Sequence, residues 1–185
     1  MRPTDLAHTL LRDIIREGDT VIDATAGNGH DTRFLAECVG ATGKVIGYDI
    51  QEAAITSTRQ CLADAGYLER VELHQLSHRR MADHAEPASV SAIMFNLGYL
   101  PGEDHQRTTE ADETLAALEI ATTLIQPGGS LSIICYPGHA EGAVEAKAVE
   151  AWITSQTQSR WRVAKYAMLG TKNPAPFLLL STKPT

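Results

Sequence analysis

Two periodicities alternate along this chain, and that alternation limits the fold more than any single motif. "TVIDAT", "KVIGYDI", "VELHQL", "VSAIMFN" and "SLSIICY" are short, apolar and rich in β-branched residues, and read as strands one to five. Between and after them, helical spacing governs. "HDTRFLAECV" reads as a helix closed by Gly40, and "QEAAITSTRQCLADAG" as one ended by Gly66. Residues 108–125 read as a helix stopped by "QPGG", and residues 141–158 as another. Leu6, Leu10, Leu11, Ile14 and Ile15 share one face of a helix before the first strand. The stretch between strands three and four, rich in His and Ala, has no clear period. "WRVAKYAML" and "PFLLLST" follow one another with no helix between them, so they pair antiparallel. The expected fold is therefore α/β. It is a Rossmann-like, doubly wound and mostly parallel sheet with an antiparallel last strand and helices on both faces.

A chain of 185 residues suits one domain spanning 1–185, with no repeat or linker. The charged fraction of 21% and hydrophobic fraction of 43% are those of a soluble globular protein. No run approaches the ~18 apolar residues of a membrane span. Asp5 and Asp13 interrupt the apolar N-terminal pattern, which argues against a signal peptide. Cys38, Cys61 and Cys135 are scattered, odd in number and form no CxxC pair, so reduced thiols in a cytoplasmic protein are expected. A net charge of −7 disfavours a long phosphate track, and with it DNA, but leaves room for a small basic patch that reads one structured RNA. Arg79, Arg80, Arg160, Arg162, Lys165 and Lys172 are the groups available to build one.

In a doubly wound sheet the ligand sits beyond the carboxyl ends of the strands. Each of the five strands ends in an unusual polar cluster: Asp23 to Asp31, Asp49 to Gln51, Ser77-His78, Asn96 to His105, and Tyr136 to Glu141. In the first, Gly27 and Gly29 let the backbone turn sharply and approach a ligand, and the next helix offers free N–H groups. Asp49, 20 residues beyond Gly29, is placed to accept from ribose hydroxyls. Both NAD and S-adenosylmethionine (SAM) satisfy that much. A dinucleotide loop wants Gly or Ala where this chain has Thr32, and its pyrophosphate would be repelled by Asp23. A carboxylate at 23 suits a cationic group such as the ammonium of SAM.

The fourth cluster, "FNLGYLPGEDH", puts Asn96 at the end of an apolar strand. There its carbonyls can accept the hydrogens of a substrate amine and aim its lone pair at a methyl carbon. Methyl transfer needs alignment more than acid–base power. The amine must still lose a proton, and Asp104 or His105 is the expected acceptor. Tyr99 and Tyr136 are candidates to stack on a flipped-out base, with rim packing the competing role. His105 and His139 sit on separate strand-end loops that converge over the substrate. Methyl transfer needs no Lewis acid, so no metal is expected.

"DATAGNGHDT", "YDIQ", "FNLGYLPGEDH" and "YPGHAEG" together resemble the MnmM family of bacterial class I methyltransferases, also described as rRNA methylases. The likeness runs from about residue 4 to "NPAPFLLL". What the resemblance implies is a homodimeric, SAM-dependent enzyme. Its reaction would be methylation of the aminomethyl nitrogen of 5-aminomethyl-2-thiouridine at tRNA wobble position 34. It also implies that Asn28, Asp31, Asp49, Gln51, Ser77 and His78 surround the cofactor. "TKNPAPF" departs slightly from the family's usual tail, and its Lys172 and Asn173 are expected to touch RNA. Two other readings stay open: a methyltransferase acting on rRNA or on a small-molecule amine, and an inactive nucleotide- or tRNA-binding module.

Overall fold

The computed structural model describes residues 1–98 and 111–185. Seven strands form one sheet: β1 (Thr20–Asp23), β2 (Lys44–Tyr48), β3 (Val71–His74), β4 (Val90–Leu97), β5 (Ile125–Cys135), β6 (Arg162–Ala167) and β7 (Phe177–Thr182). Five helices accompany them: α1 (Pro3–Arg12), α2 (His30–Val39), α3 (Glu52–Ala65), α4 (Ala111–Leu124) and α5 (Ala140–Ser155). The strand order is β3-β2-β1-β4-β5-β7-β6. Strands β1 to β5 run parallel, while β7 pairs antiparallel with both β5 and β6. The order reverses at β1, between β2 and β4, which is where such a sheet opens a crevice.

Central strands of a parallel sheet are covered on both faces and so read as continuous apolar runs. β4 shows the consequence. Ile93, Phe95 and Leu97 join Leu118, Ala121, Val149 and Ile153 from α4 and α5 in one core layer. Ala92 and Met94 face the other way, toward Leu11, Phe34, Leu35 and Leu62 from α1, α2 and α3.

Most sequence expectations hold to within a few residues, and α2 coincides with "HDTRFLAECV". The stretch with no clear period holds a short 3-10 turn, His78–Asp83. One expectation needs correction. The sequence makes "QPGG" the stop of a helix, yet it lies inside β5, which starts at Ile125 and not at Ser130. The reason is a bulge: Val90 pairs with Ile125 and Ala92 with Ser130, so the extra residues loop out opposite Ser91. Gly128 there adopts a φ of 79°, and a side chain on Gly129 would run into the Ser91 carbonyl at 2.8 Å.

α1 packs through Ala7 and Leu11 against the layer that holds Ile134 and Leu178. Just before it, the Met1 carbonyl accepts a 3.1 Å hydrogen bond from the Tyr166 hydroxyl of β6. The first helix is thus tied to the last strands. No helix among the described residues is long and apolar enough to cross a membrane.

Phe95 is fully buried in the middle of β4. Phe95→Ala should lower unfolding free energy by about 3–5 kcal/mol. Urea titration followed by circular dichroism measures it, and a loss below about 1 kcal/mol would mean the layer collapses to fill the space.

Candidate functional site

At the end of β1 the chain turns through residues 24–29 into α2, and three neighbours, Asp49, Ser57 and Thr58, hold that turn. The Gly27 amide donates to Asp49 Oδ2 at 3.0 Å. The buried Thr58 hydroxyl of α3 donates to the carbonyl of Gly27 at 3.0 Å. The Ser57 hydroxyl donates to Asn28 Oδ1 at 3.2 Å. Gly29 precedes α2 with a φ of 82°, and a Cβ on it would sit 2.8 Å from the Thr58 backbone. Only glycine fits there. Asp49 takes one N–H on each oxygen, from Gly27 and from Gln51 at 2.9 Å. A carboxylate has about four acceptor positions, so it keeps capacity for ribose hydroxyls.

The carboxylate of Asp23 behaves differently from the sequence expectation. It is fully buried, and both oxygens are engaged: Thr32 Oγ1 donates to Oδ2 at 2.5 Å and the Thr25 amide to Oδ1 at 3.1 Å. Asp23 therefore braces the turn through one donor on each oxygen. Thr32, read in the sequence only as a departure from a dinucleotide pattern, is its principal donor. Burial and the neighbouring charges of Asp31 and Asp49 push the Asp23 carboxyl up to about 7. Three carboxylates around one turn form an electrostatic deficit that a positively charged ligand relieves and a pyrophosphate would worsen. A sulfonium cofactor fits this turn.

Asn96 sits near the end of β4, where its backbone N–H donates to Thr25 Oγ1 at 2.7 Å and its Nδ2 to Asp31 Oδ2 at 3.1 Å. The Tyr136 hydroxyl, one residue past β5, meets the side chains of Asn96 and of Thr4 in α1. Burial raises the Tyr136 phenol above its usual value, keeping it neutral. Asp31 Oδ1 lies 2.6 Å from His8 Nε2, also in α1. Neither Thr4 nor His8 was singled out in the sequence. Their one signal is spacing: four residues apart, they lie on one side of a helix beside its apolar stripe.

The remaining candidates divide. Ser77 caps the 3-10 turn that follows β3, accepting from the Arg79 amide and donating to Glu113 at 3.3 Å. His78 is buried, and its Nδ1 lies 3.2 Å from the Ala24 carbonyl, which puts the hydrogen on Nδ1. Burial lowers its pKa, so the ring is neutral beneath the turn. His139 caps α5, its Nδ1 accepting from the Gly142 amide at 3.1 Å. Lys172 and Asn173 are exposed on the loop joining β6 to β7, at the same end of the sheet. Tyr99, Asp104 and His105 lie outside the described residues. The candidate basic residues do not gather into one patch. Arg79 pairs with Glu113, Arg80 with Asp83 and Lys165 with Glu150, while Arg162 sits at the far end of β6 from Lys172. Cys135 is buried, and its thiol is raised to about 12, as expected of an inert sulfur.

A sheet of order 3-2-1-4-5-7-6 with a glycine turn after β1 and an acidic residue closing β2 defines a class I, SAM-dependent methyltransferase. The family described as "Putative rRNA methylase" matches residues 45–182, and the chain belongs to it. The tRNA (mnm(5)s(2)U34)-methyltransferase, chloroplastic, of Arabidopsis thaliana is 40% identical over 98% of this chain and 69% of the plant protein. A "putative rRNA-methylase" from Clostridium thermocellum superposes with a TM-score of 0.95 at 36% identity, covering 99% of this chain and 98% of that one. A "putative methyltransferase" from Streptococcus mutans, in complex with SAH, superposes at 0.88 with 32% identity and the same coverage.

Two outcomes follow from this geometry. Asp49→Ala should weaken SAM binding about ten- to a hundredfold by calorimetry, the equivalent of losing ~1.5–3 kcal/mol of charged hydrogen bonding. Unchanged affinity would remove Asp49 from the ribose site. The second outcome concerns pH. Because the folded carboxyl of Asp23 titrates near 7, the folded chain holds a proton that the unfolded chain releases near pH 4. Stability should therefore fall as pH rises across that interval. Asp23→Asn should flatten the fall in urea titrations made at several pH values. A slope identical to that of the unaltered protein would show that another group causes it.

Proposed function

We propose that this chain methylates the aminomethyl nitrogen of 5-aminomethyl-2-thiouridine at tRNA wobble position 34, giving 5-methylaminomethyl-2-thiouridine. The observation that carries the reading is Asn96, whose carboxamide stands at the strand end beside the glycine turn and is tethered to Asp31. Its Nδ2 is committed to Asp31, so its carbonyl oxygen remains an acceptor for an amine hydrogen. The choice of RNA is supported by the plant relative, which is named as a tRNA (mnm(5)s(2)U34)-methyltransferase.

Asp49 takes the ribose hydroxyls of the donor, the turn from Gly27 to Gly29 lies against it, and Asn28, Asp31, Gln51, Ser77 and His78 complete its surroundings. When bound, SAM supplies a methyl carbon on a sulfonium sulfur that leaves as a neutral thioether, so alignment dominates the chemistry. Asn96 orients the amine, and Asp104 or His105 removes its proton. Tyr99, Tyr136 and His139 wall the base, and Lys172 and Asn173 meet the RNA backbone. The enzyme acts in the cytoplasm as a homodimer.

Mass spectrometry of tRNA nucleosides from a strain lacking the gene should show the aminomethyl form accumulating in place of the methylaminomethyl form. Methylation of rRNA or of small amines, with tRNA untouched, would replace this substrate. Within the site, a ~1 Å misplacement of the amine costs on the order of 100-fold in rate, so Asn96→Ala should lower single-turnover methylation by about that factor. SAM affinity should stay nearly constant. Near-normal turnover would move the amine-orienting role to Tyr136 and His139.

A further inference from the structure

The N-terminal helix reaches the methyl-transfer site at two points. Thr4 meets the Tyr136 hydroxyl, and one turn later His8 meets Asp31. Between those points runs a continuous set of polar contacts, from His8 to Asp31 to Asn96 to Tyr136. Its first member, His8, belongs to α1, and its last, Tyr136, stands beside Thr4 of the same helix. The His8 ring is itself held in place, lying flat on Phe34 of α2 with centroids 3.9 Å apart and planes 6° apart.

The contact chemistry is directional. Asp31 is 5% exposed, and an ionised carboxylate only accepts. The imidazole must therefore donate, with its hydrogen on Nε2. At 2.6 Å this is a short, charge-assisted hydrogen bond. It occupies Oδ1, while Asn96 occupies Oδ2. Without His8, a buried carboxylate next to Asp23 would keep Asn96 as its one side-chain donor among the described contacts. Its rotamer, and the tether on Asn96, would loosen.

We propose that His8 is a positioning residue for methyl transfer: it fixes the Asp31 carboxylate and, through it, the carboxamide of Asn96. The inference rests on the reading of Asn96 as the group that orients the methyl acceptor. It also makes α1, which precedes the first strand, a working wall of the site.

Two substitutions separate donation from packing. His8→Phe keeps a ring over Phe34 and removes the donor. His8→Gln keeps an N–H close to the Nε2 position and removes the ring. His8→Phe should lower the single-turnover rate on tRNA about tenfold or more and weaken SAM binding about fivefold, consistent with the loss of one charge-assisted hydrogen bond. His8→Gln should recover most of both. In an Asp31→Asn background His8→Phe should add little, because the partner of its hydrogen bond has already changed. A merely structural His8 would shift the melting temperature of both variants and leave the rate per folded molecule alone. Equal impairment in His8→Phe and His8→Gln, or wild-type behaviour in His8→Phe, would overturn the proposal.

A further readout needs no substrate. Proton–nitrogen NMR of the ring should show a downfield proton on His8 Nε2 that is lost in Asp31→Asn. A bare Nε2 would overturn the proposal directly. If the unaltered enzyme is inert on tRNA, the substrate reading falls. The NMR signal and the SAM affinities then decide the role of His8.

Discussion

A carboxylate with no access to water must find donors within reach, and Asp23 organises the strand ends through that requirement. Thr32 answers from the first turn of α2, and the Thr25 amide from the turn itself. The Thr25 hydroxyl then accepts the backbone N–H of Asn96, which ties β4 to the same knot. One buried carboxyl group thus fixes where α2 starts and where β4 ends. It also raises the cost of leaving the surrounding carboxylates uncompensated, which is why a positively charged cofactor matches this turn.

A second layer of order comes from outside the parallel sheet. α1 packs its apolar stripe on the face formed by β4, β5 and β7, and that packing delivers Thr4 and His8 to the strand ends. Helix α3, on the same face of the sheet, brings Ser57 and Thr58 to the turn. The glycine turn is therefore held between two helices whose apolar faces do the docking and whose polar residues do the positioning.

Periodicity made the fold legible because a sheet buried on both faces admits only apolar strands, and its helices need an apolar stripe. Strand-end clusters likewise pointed to Asp49, Asn96 and Tyr136, because chain reversal at the end of a strand is a local event. The rest was not local. Whether Asp23 faces a ligand or the back of the turn depends on Thr32 swinging toward it, and nothing in "DATAGNGHDT" decides that. His8 meets Asp31 across 23 residues through tertiary packing, so the residues around either one do not disclose the partner. "QPGG" misled for a related reason: glycines that end a helix and glycines that bulge a strand look alike until the partner strand is in place.

The bond between Tyr166 and the Met1 carbonyl spans 165 residues of sequence. Its consequence lies in the order of synthesis. α1 is synthesised before every strand of the sheet, but the surface it docks on includes β7, which follows all the other strands. At roughly 5–20 residues per second, the helix waits on the order of ten to thirty seconds for that surface. Throughout that interval the part of its apolar stripe that packs on β7 stays uncovered. A nascent chain can lay down β1 to β4 and even shape the glycine turn, yet it has no assembled acceptor wall. Competence to react arrives in one late step, when the last two strands close against the first helix.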